Sequence, residues 1–317
     1  MDIKSMPKID LHCHIDGSLT QDFVRERIGK CDRMKAPAVC SDLAEYLTYF
    51  DQPIACLQTK NDLKAAVLDI LKNASLENTK YIELRFAPYF SLNDELSYRD
   101  IFESVIDGVK QGLSLYNVHS NIIACAMRHL DTDTNIKMLD IAREYLGYGV
   151  CALDLAGDEA AFDNSLFKDL FSHANKIDMP FTIHSGECLS VENVRLALSF
   201  GAKRIGHGIA LVNDPGLMSQ CKDLGVGLEL CPTSNYQTRA LSPNQPYPLK
   251  TFLDNGLLAT VNTDNRTVSN TNLTKELSFV AEKFGFDESH LTKLYENSVN
   301  ICFADDNVKN YLMKELK

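Results

Sequence analysis

The sequence predicts a (β/α)8 barrel, and three observations carry that expectation. Eight short, β-rich apolar runs alternate with longer amphipathic stretches over about 250 residues. Several of these runs are almost continuously apolar, as strands buried on both faces of a parallel sheet require. No G-x-G-x-x-G follows the first run, which counts against a doubly wound dinucleotide-binding sheet.

The strands are expected near 7–14, 80–87, 120–127, 150–156, 180–186, 203–209, 225–231 and 257–264. Helical patterns fall between them, at 61–78, 98–116, 133–148, 162–178, 190–201, 213–224 and 246–256. Gly or Asn closes several of these, as at Gly201 and at Asn255-Gly256. Two stretches exceed what a barrel needs. Residues 15–60 form an excursion after the first strand, helical and lid-like, and residues 266–317 form a helical tail. Residues 1–317 are read as one barrel domain carrying both.

Composition narrows the function classes. The 32 Lys+Arg and 43 Asp+Glu give a net charge of −11. No basic run stands out and Trp is absent, so a nucleic-acid partner is not expected. Residues 1–7 contain no apolar signal core. No window approaches the roughly 18 uninterrupted apolar residues of a membrane span. The ten cysteines are scattered without a C-x-x-C pair, as befits free thiols in a reducing cytoplasm. Nothing in the pattern calls for an obligate protein partner.

In a barrel of this kind the chemistry sits at the C-terminal strand ends. Polar residues gather there. His12 and His14 end the first strand, His184 and Glu187 the fifth, and Asp264 and Asn265 the eighth, while His207 lies on the sixth. Side chains alternate along a strand, so His12 and His14 share one face, about 7 Å apart, and Cys13 faces the helices. An isolated H-x-H is more often a polar strand end with satisfied histidines than a metal site. Joined by His184 and Asp264 at equivalent ends, it makes a credible zinc shell, with water as a further ligand. Glu187 is then better suited to acid–base work than to ligation. Gly206 and Gly208 flank His207 and allow close approach, which favours a catalytic imidazole there. Glu83 and Arg85 share a face of the second strand and read as a structural charge network inside the barrel. His119, His129, His173 and His290 have no companions that suggest chemistry.

The residues resemble the adenosine deaminase family of amidohydrolase-type zinc barrels. The resemblance rests on P-K-I-D-L-H-C-H-I-D-G-S at 7–18, D-L-A-G-D-E at 154–159 and H-S-G-E at 184–187. It continues through R-I-G-H-G at 204–208, C-P-T-S-N at 231–235 and N-T-D-N at 262–265. It implies one zinc ion on His12, His14, His184 and Asp264. It also implies that Glu187 protonates purine N1 and that His207 orients the attacking water. By the same resemblance Asp16 contacts the ribose 5′-hydroxyl and the Gly157 backbone N–H contacts purine N3. The segment 43–51 looks like the family's apolar lid helix, with Leu43, Tyr46, Leu47 and Phe50 facing the substrate. Their i, i+3, i+4, i+7 spacing independently gives one helix face, which would also suit ordinary core packing.

Two positions depart from the family pattern. Asn265 stands where the family usually has a second Asp, the group that hydrogen-bonds purine N7. An amide donates there without first taking up a proton. Tyr247-Pro248 stands where the family often has His-Pro, at a place expected to lie away from the metal shell. The activity implied is hydrolytic deamination of adenosine, and of 2′-deoxyadenosine, to inosine or deoxyinosine and ammonia. Deamination of adenine or of N6-substituted AMP on the same scaffold is the alternative, and a decayed zinc-barrel binding protein the non-enzyme one. Adenine-specific relatives tend to carry Glu at the Asp16 position, so Asp16 favours a nucleoside. Strand four ends Leu155-Ala156-Gly157 without the Lys that bridges two metals in binuclear amidohydrolases.

Overall fold

A computed structural model describes residues 2–242 and 244–316. Strands β1 (Lys8–His14), β2 (Thr79–Phe86), β3 (His119–Met127) and β4 (Val150–Ala156) pair in parallel in that order. Strands β5 (Thr182–Ser185), β6 (Arg204–His207), β7 (Gly227–Leu230) and β8 (Leu258–Val261) do the same. Two seams join the halves into a closed barrel. At one, the Leu153 N–H donates to the Pro180 carbonyl at 2.9 Å. At the other, the Asp264 N–H donates to the His12 carbonyl and the His14 N–H to the Asp264 carbonyl, both at 2.7 Å. All eight expected strands are present: β1 to β4 agree with the expected bounds to within a residue, and β5 to β8 are shorter by one to three residues at each end.

The helices form where local chemistry favours them. In Tyr98–Tyr116, Ser97 and Asp100 build a reciprocal capping box, and Asn117 ends the helix at a φ of 53°. Its buried stripe, Ile101, Phe102, Val105, Ile106 and Val109, belongs to the same core cluster as Leu63, Val67 and Leu71 of the helix Lys60–Ser75. Each such side chain contributes about 1.5–3 kcal/mol on burial. Gly108 permits the close approach of the two helices, since a Cβ there would lie 2.8 Å from Val67 Cβ. In the tail, Leu273–Phe284, Glu288–Ile301 and Asp306–Glu315 are helical. Tyr295, Val299 and Ile301 pack with Ile9, Leu11 and Tyr81 beneath the N-terminal strand ends, leaving the opposite mouth for the site.

The excursion differs from the expected continuous lid helix. Leu43–Leu47 is one α-helical turn, Thr48–Phe50 a 3₁₀ turn, and Asp51–Ala55 a second short helix. Pro53 explains the break: it has no N–H to continue the ladder but costs little in a first turn.

The barrel interior carries a wider charge network than the spacing of Glu83 and Arg85 implied. Arg85 bonds Asp154 at 2.9 Å and Glu229 at 2.8 Å, while Arg204 bonds Glu229 at 2.6 Å and Glu83 at 2.5 Å. All five residues are fully buried. The ten cysteines are free thiols. No helix among the described residues is long and apolar enough to cross a membrane.

Candidate active site

Barrel closure brings the separated strand ends together. His12, His184, His207 and Asp264 are all buried, and each offers a ligand atom within 4.8 Å of the others. His14 joins them, its Nε2 lying 3.2 Å from His184 Nε2 and 3.4 Å from Asp264 Oδ1. His12 Nε2 also lies 3.4 Å from Asp264 Oδ1 and, though buried, has no hydrogen-bond partner. Gly206 makes room for the rings, because a Cβ there would meet His184 Cα at 3.1 Å and His12 Cε1 at 3.2 Å. His207 and Asp264 take left-handed φ values of 60° and 58°, which non-glycine residues adopt mainly where surrounding structure imposes them.

The far nitrogens of the rings separate their roles. His12 Nδ1 faces Glu229 Oε2 at 2.8 Å, and His184 Nδ1 faces Asp154 Oδ2 at 2.9 Å. A carboxylate at Nδ1 holds the proton there and turns the Nε2 lone pair inward, the arrangement that a divalent metal requires. His207 is built the opposite way. Its Nδ1 lies 3.0 Å from the amide nitrogen of Asn235, whose Oδ1 accepts from the Tyr247 hydroxyl at 2.9 Å. An imidazole that accepts at Nδ1 carries its proton on Nε2 and presents a donor to the site. Three imidazole nitrogens and a carboxylate therefore fit a zinc ion, with His14 better suited than His207 as the third imidazole. Tyr247 thus reaches the site through Asn235, contrary to its expected remoteness.

Charge in the cluster follows burial and neighbours. Burial would raise Asp264, but the bond and charge of His12, with His14 and His207, hold it well below the usual carboxylate range. Burial pushes His14 and His207 well below the ordinary imidazole value. Glu187 moves the other way: burial, then the Asp264 and Glu159 charges, raise it well above a normal carboxyl. It stands 3.5 Å from His207 Nε2 and accepts a long bond from Thr238 Oγ1, also at 3.5 Å. Asp16 is pushed up to about 7 by burial.

A cavity of about 310 Å³ opens above this cluster. It is lined by His14, Asp16, Leu43, Tyr46, Leu47, Phe50, Gly157, His184, Glu187, His207, Asp264 and Asn265. Every site residue expected from sequence lies there except His12, which sits behind the others. Tyr46 is tied down by a 2.6 Å bond between its hydroxyl and Ser269 Oγ. Sequence reasoning missed Glu229, Asp154 and Asn235. Their signal was a single polar group in a buried apolar strand, or just beyond one. It also passed over His129, which stacks on Phe90 at the cavity edge. His173 and His290 bond Asp140 and Asp287 away from the cavity, as expected of histidines without companions.

Comparison with known proteins agrees with this geometry. The adenosine deaminase family model matches residues 7–317. An adenosine deaminase of Enterococcus faecalis is 37% identical over 326 aligned residues, covering 99% of this chain and 97% of that protein. An adenine deaminase of Arthrobacter aurescens superposes with a TM-score of 0.88 at 23% identity, covering 98% of each chain. A zinc-bound amidohydrolase of Burkholderia ambifaria superposes with a TM-score of 0.86 at 20% identity, covering 98% of this chain and 90% of that one. By its sequence along nearly its whole length, the chain belongs to the adenosine deaminase family.

Proposed function

We propose that this chain hydrolyses adenosine and 2′-deoxyadenosine at purine C6, releasing ammonia. The observation that carries the proposal is Glu187: a buried carboxyl, raised well above the ordinary carboxyl range by burial, facing the same cavity as the histidine–aspartate cluster. A proton donor beside a water-activating centre is what attack on an aromatic amidine carbon needs. His12, His14, His184 and Asp264 would hold one zinc ion. When bound, that ion supplies Lewis-acid activation of the attacking water.

The chain's own groups do the rest. Glu187 gives its proton to N1 as the water oxygen adds to C6, and ionised Asp264 accepts a hydrogen from that water. The His207 Nε2–H donates to the same oxygen and fixes its direction. Asp264 then passes its proton to the departing amino group. The remaining hydroxyl proton returns to Glu187 as ammonia leaves, so both carboxyls end as they began. Asn265 donates to N7, the Gly157 N–H to N3, and Asp16 takes the 5′-hydroxyl. Leu43, Tyr46, Leu47 and Phe50 cover the base and keep bulk water out. One hydrophobic cluster, with members from β1 to β8 and the helices around them, supports treating residues 1–317 as one catalytic unit.

The lining favours a neutral nucleoside. It holds five carboxyl groups, Asp16, Asp51, Asp158, Glu187 and Asp264, and no Lys or Arg among the described residues. Arg266 is turned away toward Glu77 and Asp10. A phosphate would enter without a cationic side chain in the lining to meet it. In a panel of adenosine, 2′-deoxyadenosine, adenine, AMP and N6-methyl-AMP, kcat/KM should be highest for the two nucleosides. Adenosine should exceed AMP by at least about a hundredfold, the scale of one unmet buried charge. Equal or faster turnover of AMP or adenine would overturn the assignment, and no turnover of any of them would support a binding protein.

The His207 assignment has its own test. Asn235→Asp replaces the amide donor with an acceptor, draws the imidazole proton to Nδ1 and removes the Nε2 donor. We expect kcat to fall about 100–1,000-fold with KM nearly unchanged, the loss typical of one oriented donor. Tyr247→Phe should give a milder loss of the same kind. Steady-state kinetics with zinc content measured alongside decides it; wild-type kcat in Asn235→Asp would remove the role.

A further inference from the structure

The D-L-A-G-D-E segment at 154–159 supplies Asp154 behind His184 and Gly157 at the cavity, but its last residue has no part in the mechanism above. Glu159 is 2% exposed and does not line the cavity. Its carboxylate accepts from the Gly186 N–H at 2.6 Å and from the Cys188 N–H at 3.1 Å. Those are the two backbone donors on either side of Glu187. A third bond, from Asn193 Nδ2 at 2.9 Å, ties the same carboxylate to the following helix, Val191–Phe200.

The turn so held is not one the backbone would choose. Gly186 lies at a φ of +74° and Leu189 at +66°. The left-handed region is costly for a leucine, so contacts must impose it. The neighbouring anchors are equally explicit. Arg128 donates to the His184 carbonyl at 2.6 Å, and Asn164 Nδ2 to Ser185 Oγ at 2.7 Å. The charge of Glu159 also acts on the Arg128 guanidinium, so this buried carboxylate has a cation nearby. From residue 184 to residue 188 the segment is held from behind, while the Glu187 side chain projects into the cavity.

We propose that Glu159 is a positioning residue that fixes the peptide on both sides of Glu187 and so sets where its carboxyl meets the substrate. This rests on the acid role proposed for Glu187. Placement matters because proton transfer needs heavy atoms within about 2.6–3.2 Å of one another. A free turn would spend most of its time outside that range. A carboxylate suits the task because it accepts two diverging N–H groups at once. A glutamine in its place keeps one acceptor and turns a donor against the other N–H.

The test is a double-mutant cycle on the zinc-loaded protein, reading kcat and KM for adenosine in wild type, Glu159→Gln, Glu187→Gln and the double variant. Glu159→Gln should lower kcat about 10–100-fold with KM within about twofold and zinc content unchanged. In the Glu187→Gln background the same change should cost almost nothing more, since groups that act as a unit are not additive. Amide exchange should rise across residues 184–190 and stay at wild-type rates in β1 and β8. Additive losses, zinc loss or a faster exchange throughout the barrel would mark a merely structural residue and overturn the proposal, as would an unchanged kcat. If Glu187→Gln leaves too little rate to measure, the exchange pattern together with the kcat-only loss decides. Glu159→Asp keeps the charge but not the reach, and should show the same split in milder form if Glu159→Gln does not fold. Failure of the underlying reading looks different: wild type would not deaminate adenosine, or Glu187→Gln would remain active.

Discussion

Glu187→Gln should lower kcat for adenosine by about a thousandfold or more, at the upper part of what one general acid contributes. The amide keeps the size of the side chain and can still accept from Thr238, but it has no proton to give N1. Because Glu187 is not among the four proposed ligands, zinc content should match wild type. Loss of the adenosine absorbance band on mixing, followed beside metal analysis, measures both. A variant that stays active would remove N1 protonation by Glu187, and one that loses its metal would move Glu187 into the ligand set. The wild-type pH profile should carry a matching sign. The carboxyl of Glu187 is raised, so it is neutral and competent at low pH and is lost as pH rises through its own pKa. That alkaline limb should be absent from the residual rate of the variant.

The largest effect on stability is expected at Glu229. Burial would raise this carboxyl, but Arg85 and Arg204 hold it well below the normal range, and it also receives bonds from His12 and Thr182. Glu229→Ala takes one carboxylate partner from each of two buried guanidinium groups, leaving Arg85 on Asp154 and Arg204 on Glu83. Removing one partner of a buried pair costs about 3–5 kcal/mol, and because each arginine keeps one carboxylate this variant should fall within that range. For a domain of this size that corresponds to a Tm lower by roughly 10 °C or more. It also frees Nδ1 of His12, and losing such a support typically weakens metal binding about 10–100-fold. Thermal unfolding and zinc titration of the same preparation check both. An unchanged Tm would mean that the charges find other partners; unchanged zinc affinity would mean that His12 does not depend on Glu229.

Much of this was readable beforehand, for physical reasons. The strands announced themselves because a parallel barrel buries both faces of each, which leaves β4 and β8 nearly continuous apolar runs. The ligand candidates were readable because a buried strand tolerates few polar groups, and His12 and His14 share a face by the period of two. The lid residues Leu43, Tyr46, Leu47 and Phe50 do line one cavity, although Pro53 breaks the expected helix into turns. What stayed hidden depends on contacts across the barrel. Nothing local tells that Glu229 on β7 reaches His12 on β1, or that Asn235 reverses the donor pattern of His207. Tyr247 was discounted for the same reason: its distance from the ligands along the chain says nothing of a two-bond path through Asn235. Glu159 lay within a quoted motif, yet its role depends on backbone N–H groups, which every residue but proline carries and no sequence pattern can single out.

The seam between β8 and β1 has a consequence for how the molecule comes into being. Its two backbone bonds are made by His12, His14 and Asp264, three of the proposed metal ligands, and they join the first strand of the barrel to the last. During synthesis the first strand emerges early and must wait for nearly the entire chain before its partner exists. Until then its edge is unpaired and its two imidazoles lack the Asp264 carboxylate. Contacts of such wide sequence separation form late, because the loop entropy must be spent before the contact repays it. Ring closure and completion of the ligand set are therefore a single event, and an ion that binds only the closed form draws the folding equilibrium toward it.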